Sequence, residues 1–108
     1  VLITLKRTFF LGDKIFLKID RDIEELVPGY LKNRRLDIDK ISHAVDQGDF
    51  DTARMLGHAM KGNGKSYGFE EISRIGLVIE NSGIQKEPEI IRRELEKLLD
   101  YLNLIHIT

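Results

Sequence analysis

The chain has 108 residues, 42% hydrophobic and 32% charged, proportions that suit one soluble domain around one core and leave no room for a second. Seventeen basic and eighteen acidic residues give a formal charge of -1, so no overall field selects nucleic acid, an anionic membrane or an acidic substrate. The absence of cysteine removes disulfides, thiolate nucleophiles and thiolate metal sites, and makes the cytoplasm the expected compartment.

Residues 1–19 are rich in Ile, Leu, Phe and Thr and are read as an N-terminal extended arm or short hairpin, with Leu11-Gly12-Asp13 as its turn. Lys6 and Arg7 interrupt the opening apolar run and no small-residue cleavage site follows, so this segment is read as structure and not as a leader. No stretch approaches the roughly 20 apolar residues of a membrane span, and membrane insertion is not expected. From Asp20 the apolar spacing becomes helical, and residues 20–108 are assigned to a helical bundle. A short helix with Ile23, Leu26 and Val27 stops before Pro28, which opens a second helix running to about Gln47 and closed by Gly48.

A third helix begins at Asp49 or Asp51, whose carboxylates suit a helix start, and continues to about Ser66, before Tyr67-Gly68. A fourth covers roughly 69–82 and is closed by Asn81-Ser82-Gly83; Pro88 opens a fifth, with Ile91, Leu95, Leu98, Leu99, Leu102 and Ile105 as a long apolar stripe. The fold class expected is therefore all-α: an antiparallel four-helix bundle with a short preceding helix and an N-terminal extended arm or hairpin.

On a helical wheel the third helix turns Phe50, Ala53, Leu56, Gly57, Met60, Gly64 and Tyr67 to one side, the expected core face. His58 falls away from that side, with Arg54, Lys61, Gly62 and Lys65 as its helical neighbours. Neutral imidazole, with a reference pKa of about 6.5, is a competent nucleophile near neutrality. The cations suit phosphoryl oxygens, and Gly62 leaves room beside the ring. Glycine inside a helix costs about 0.5–1 kcal/mol against alanine, so Gly57, Gly62 and Gly64 each need a reason. Gly57 and Gly64 lie on the inner side, where close approach of another helix would supply one. On the wheel alone a helical histidine among cations is most often an ordinary solvated side chain.

His58-Ala59-Met60-Lys61-Gly62-Asn63-Gly64-Lys65-Ser66-Tyr67-Gly68-Phe69 resembles the signature of histidine-containing phosphotransfer (HPt) domains: His, any residue, an apolar residue, Lys-Gly, small polar residues, then an apolar or aromatic residue and Gly. Asp20 to Arg35 is also similar to the segment leading into such bundles, and Gln47-Gly48-Asp49-Phe50 resembles the turn before their phosphorylated helix, so the resemblance covers roughly 14–103. It implies a phosphoryl carrier without kinase activity of its own, with His58 as phosphoacceptor, Lys61 as phosphate-stabilising cation and Gly62 as access residue. Arg54, Asn63 and Lys65 are added from the wheel and composition as partner- or phosphate-contacting. The implied partners are receiver domains of response regulators or a hybrid sensor histidine kinase. No cofactor or metal of its own is expected, Mg2+ belonging to the receiver, and the expected state is a monomer.

The alternatives are a non-catalytic helical interaction module and a regulatory bundle of a larger signalling protein. Gly62-Asn63-Gly64-Lys65-Ser66 is not a nucleotide loop, because the first glycine of that pattern would fall at Ala59. His43 beside Asp46 is weak evidence for a metal, and Ser42-His43 adjacency does not make a hydrolytic pair. Lys32, Arg34 and Arg35 with Asn33 are read as a solvated basic face, with no nucleic acid partner.

Overall fold

The computed structural model describes residues 7–11, 14–18 and 21–107, with side chains for residue 21 and residues 23–105. Residues 1–6 and the expected turn at Gly12-Asp13 lie outside the described residues. Four helices form the body: α1 (Val27–Asp46), α2 (Phe50–Ser66), α3 (Glu70–Gln85) and α4 (Pro88–Leu104). Each helix is amphipathic, and the apolar stripes meet in one core with Ile41, Ala53, Met60, Phe69, Ile72, Ile75, Ile79, Ile91 and Leu98 fully buried.

The short helix expected before Pro28 is a 3-10 turn, Arg21–Leu26, running straight into α1. Pro28 does not separate two helices; it sits in the first turn of α1, where its missing N–H is no loss. At the other end of α1, Gly48 takes a φ of +72° and the Asp49 N–H reaches back to the Ala44 carbonyl at 2.7 Å. Asp49 then caps α2, accepting from the Thr52 N–H at 3.1 Å and from the Thr52 hydroxyl at 2.5 Å.

Two boundaries differ from the sequence reading. Helix α3 does not close at Asn81-Ser82-Gly83 but runs on to Gln85, with Ser82 buried and Gly83 packed against Arg54 of α2. It ends at Lys86, the one non-glycine residue with positive φ among the described residues, at 56°. Left-handed geometry costs a residue with a side chain roughly 1 kcal/mol, so Lys86→Gly is expected to stabilise the fold by about 0.5–1 kcal/mol. Thermal denaturation should show the midpoint raised by about 2–8 °C.

The second difference is at Ile105, which leaves the helix instead of extending its stripe. Ile105–Ile107, with a β-branched isoleucine at each end, forms β3, paired in parallel with β2 (Lys14–Lys18), which pairs antiparallel with β1 (Arg7–Leu11). Arg35 braces this end of the bundle, donating to the Leu102 carbonyl at 3.1 Å and to Asn103 Oδ1 at 2.9 Å.

Helices α2 and α3 are in backbone contact. A Cβ on Gly57 would lie 2.6 Å from the Glu80 nitrogen, one on Gly64 2.6 Å from the Ser73 nitrogen, one on Gly76 2.5 Å from the Lys61 nitrogen, and one on Gly83 2.9 Å from the Arg54 nitrogen. Glycines recurring every seven residues on both antiparallel helices let them approach more closely than ordinary ridge-into-groove packing allows. Gly62 has no part in this: nothing lies within 4 Å of a Cβ built there.

Candidate functional site

With Gly57 turned onto α3, the next residue of α2 must point outward past the edge of that contact. His58 does so, its side chain 63% exposed. The partner it meets comes from α3: Glu80, opposite Gly57, brings Oε2 to 2.6 Å from His58 Nδ1 and Oε1 to 2.8 Å from Lys61 Nζ. One carboxylate thus bridges the imidazole and the ammonium. Its own side chain is only 13% exposed, held by the α2–α3 contact.

An ionised carboxylate only accepts hydrogen bonds, so Nδ1 must carry the proton that lies toward Glu80. In the neutral ring the lone pair is then on Nε2, the nitrogen remote from Glu80. The Lys61 ammonium chiefly, with help from His58 and against partial desolvation, holds the Glu80 carboxyl below the usual 4.5 of a glutamate. A depressed carboxyl stabilises the folded state above its unfolded value, and that contribution is lost as pH falls through the folded value. The expected result is a Glu80 titration midpoint below 4.5, followed by carbon-13 NMR of Cδ, that moves upward in Lys61→Ala.

Of the remaining expected residues, Gly62 is exposed one turn from His58. Lys65 is exposed two turns along the same side. Arg54 is one turn before His58, but its guanidinium is paired with Asp51, Nε at 3.0 Å and Nη2 at 2.9 Å, so it adds little free positive charge. The cation cluster drawn on the wheel is therefore compensated by Asp51 and Glu80. Asn63 does not belong to this face. Lying about 140° round the helix from His58, it accepts a 2.7 Å hydrogen bond from the Tyr30 hydroxyl of α1.

That hydroxyl belongs to an aromatic stack in which Tyr30 lies 4.2 Å from Tyr67 and 5.7 Å from Phe69, centroid to centroid. Arg34 covers the Tyr30 ring at 4.6 Å and pairs with Asp37 at 2.8 Å. Burial pushes the Tyr30 phenol up to about 12, opposed by Arg34. Arg34 and Arg35 make contacts within the fold, while Lys32, Asn33 and Arg35 stay exposed, as expected of a solvated basic face on α1.

Sequence reasoning missed Glu80 and Ser73. The Ser73 hydroxyl donates to the Lys61 carbonyl at 2.7 Å and accepts from the Lys65 N–H at 2.5 Å. It also missed the exposed apolar residues Met55, Leu77 and Ile84, three residues before His58 and three before and four after Glu80, which put apolar surface around the pair. The signal that could have found Glu80 is the seven-residue glycine repeat, 57 and 64 against 76 and 83, which sets the helix register. Among the described residues no group of three potential ligands could hold a metal ion, and no helix is long and apolar enough to cross a membrane.

A family model, the Hpt domain, matches residues 25–104. The chain belongs to the Hpt domain family. No curated protein and no solved structure gives a significant match. The Hpt span begins in the 3-10 turn and ends on the last residue of α4, so it contains all four helices and leaves the three strands outside. Hpt domains serve phosphotransfer in two-component signalling and interact with receiver domains and kinases.

Proposed function

We propose that this Hpt domain carries a phosphoryl group on His58 Nε2, taken from the aspartyl phosphate of a receiver domain or from a histidine kinase and passed to another receiver. The observation that carries the reading is the exposed His58 ring held through Nδ1 by Glu80, with Lys61 on the same carboxylate. In the forward step the Nε2 lone pair attacks phosphorus, the N–P bond forms as the bond from phosphorus to the aspartate oxygen breaks, and the aspartate leaves as a carboxylate. The Nδ1 proton stays directed at Glu80, which stabilises the positive charge that develops on the ring.

Lys61 serves the incoming phosphoryl oxygens from beside the ring, and open Gly62 admits the partner's phosphorylated side chain. Met55, Leu77 and Ile84 supply apolar contact area for a receiver, with Lys65 at the margin. The divalent ion of the transfer sits in the receiver, and the domain acts as a monomer in the cytoplasm, where receivers and kinase domains meet it.

The test is to incubate the purified chain with a phosphorylated receiver and Mg2+ and to locate the transferred label. A phosphoryl group that is lost in acid, survives alkali and maps to the peptide containing His58 is expected. A label on any other residue, or none from the receivers and histidine kinases of the same organism, would sink the reading.

A further inference from the structure

The turn of α2 from Lys61 to Lys65 reads Lys-Gly-Asn-Gly-Lys, so its three central residues are all weaker helix formers than alanine. It is nonetheless helical throughout. Helix α3 holds it there through the Lys61 peptide. Gly76 packs against the Lys61 nitrogen, where a Cβ would come within 2.5 Å, and Ser73 donates to the Lys61 carbonyl at 2.7 Å. The same hydroxyl accepts from the Lys65 N–H at 2.5 Å, so it bridges the carbonyl and amide that an α-helix would pair with each other. Glu80, which receives the Lys61 ammonium, lies one turn beyond Gly76 on the same helix.

We propose that Ser73 is a positioning residue for phosphoryl transfer, its hydroxyl fixing the Lys61–Lys65 turn on α3 so that Lys61 reaches the group on His58. The proposal rests on the phosphocarrier reading of His58. Ser73 touches neither imidazole nor phosphoryl group; it acts through the backbone of Lys61. Its effect therefore belongs to the rate of the bound complex and not to partner affinity, since the exposed apolar residues around His58 are left in place.

Transfer from a phosphorylated receiver is measured for wild type, Ser73→Ala, Ser73→Thr, Lys61→Ala and the Ser73→Ala/Lys61→Ala pair. In Ser73→Ala the rate at saturating receiver is expected to fall about three- to tenfold with KM unchanged, the loss of one or two neutral hydrogen bonds read as a rate. Ser73→Thr, which keeps the hydroxyl, should restore it. Adding Ser73→Ala to Lys61→Ala should change nothing further, because the two act as a unit. An unchanged rate in Ser73→Ala, or the same factor lost with and without Lys61, overturns the proposal while leaving His58 as acceptor intact. A wild-type chain that takes no phosphoryl group overturns both. Should Ser73→Ala fail to fold, Ser73→Cys, closer in volume and only a weak donor, replaces it with the same outcomes.

Discussion

A His58→Gln chain is expected to fold as the wild type does and to accept no phosphoryl group. The His58 side chain is largely in solvent, and its one polar contact is with Glu80 at 2.6 Å. The glutamine amide can donate to the same carboxylate, and Glu80 keeps Lys61 at 2.8 Å in any case. Thermal stability should therefore move by no more than about 0.5 kcal/mol, as for a surface substitution that breaks no buried contact. Chemistry is lost altogether, because an amide nitrogen gives its lone pair to the carbonyl and has none for phosphorus. Circular dichroism and the transfer assay on one sample separate the two effects. Label on folded His58→Gln would contradict the assignment.

A large loss of stability is expected from Gly57→Ala, next door to His58. Its methyl would sit 2.6 Å from the Glu80 nitrogen and 2.9 Å from the Gly76 oxygen, backbone atoms that no rotamer change can remove. Overpacking of this kind costs typically 1–3 kcal/mol and can exceed that where backbone faces backbone, while alanine's better helix propensity returns only about 1 kcal/mol. A net loss of about 2 kcal/mol corresponds to a fall in Tm of roughly 8–16 °C. Gly62→Ala makes the opposite case on the same helix. Nothing lies near its Cβ, so it should gain about 0.5–1 kcal/mol in stability while slowing transfer by crowding the approach to His58. Thermal denaturation of the pair checks both signs, and equal shifts would refute the distinction drawn between the two glycines.

Apolar periodicity made the four helices and most of the core legible, since the inner side drawn for α2 contains Ala53 and Met60, both fully buried. Its failures came from tertiary contacts. Asn81-Ser82-Gly83 has the composition of a helix end, yet Gly83 is there because Arg54 of α2 leaves no space for a Cβ, and α3 continues past it. Ile105 fits the α4 stripe by spacing, but pairing with Ile15 of β2 draws it into a strand.

At the site, a wheel locates His58, Lys61 and Gly62 because they share one helix. It cannot supply Glu80, which depends on how a second helix is set against the first. Asn63 misled for the reverse reason: composition placed it with the polar residues of the twelve-residue motif, whereas Tyr30 of α1 engages its side chain.

The glycine contact between α2 and α3 also decides which alignments of the two helices exist at all. Each crossing point has a glycine on one side: Arg54 with Gly83, Gly57 with Glu80, Lys61 with Gly76, Gly64 with Ser73. Sliding α3 by one turn, about 5.4 Å, would set Lys61 against Ile72 in one direction and against Glu80 in the other, with side chains on both partners where the spacing admits one at most. The helices therefore lock like a keyed shaft, in one position along their length. The 2.6 Å approach of Glu80 to His58 is a by-product of that keying, and it persists only while the four notches match.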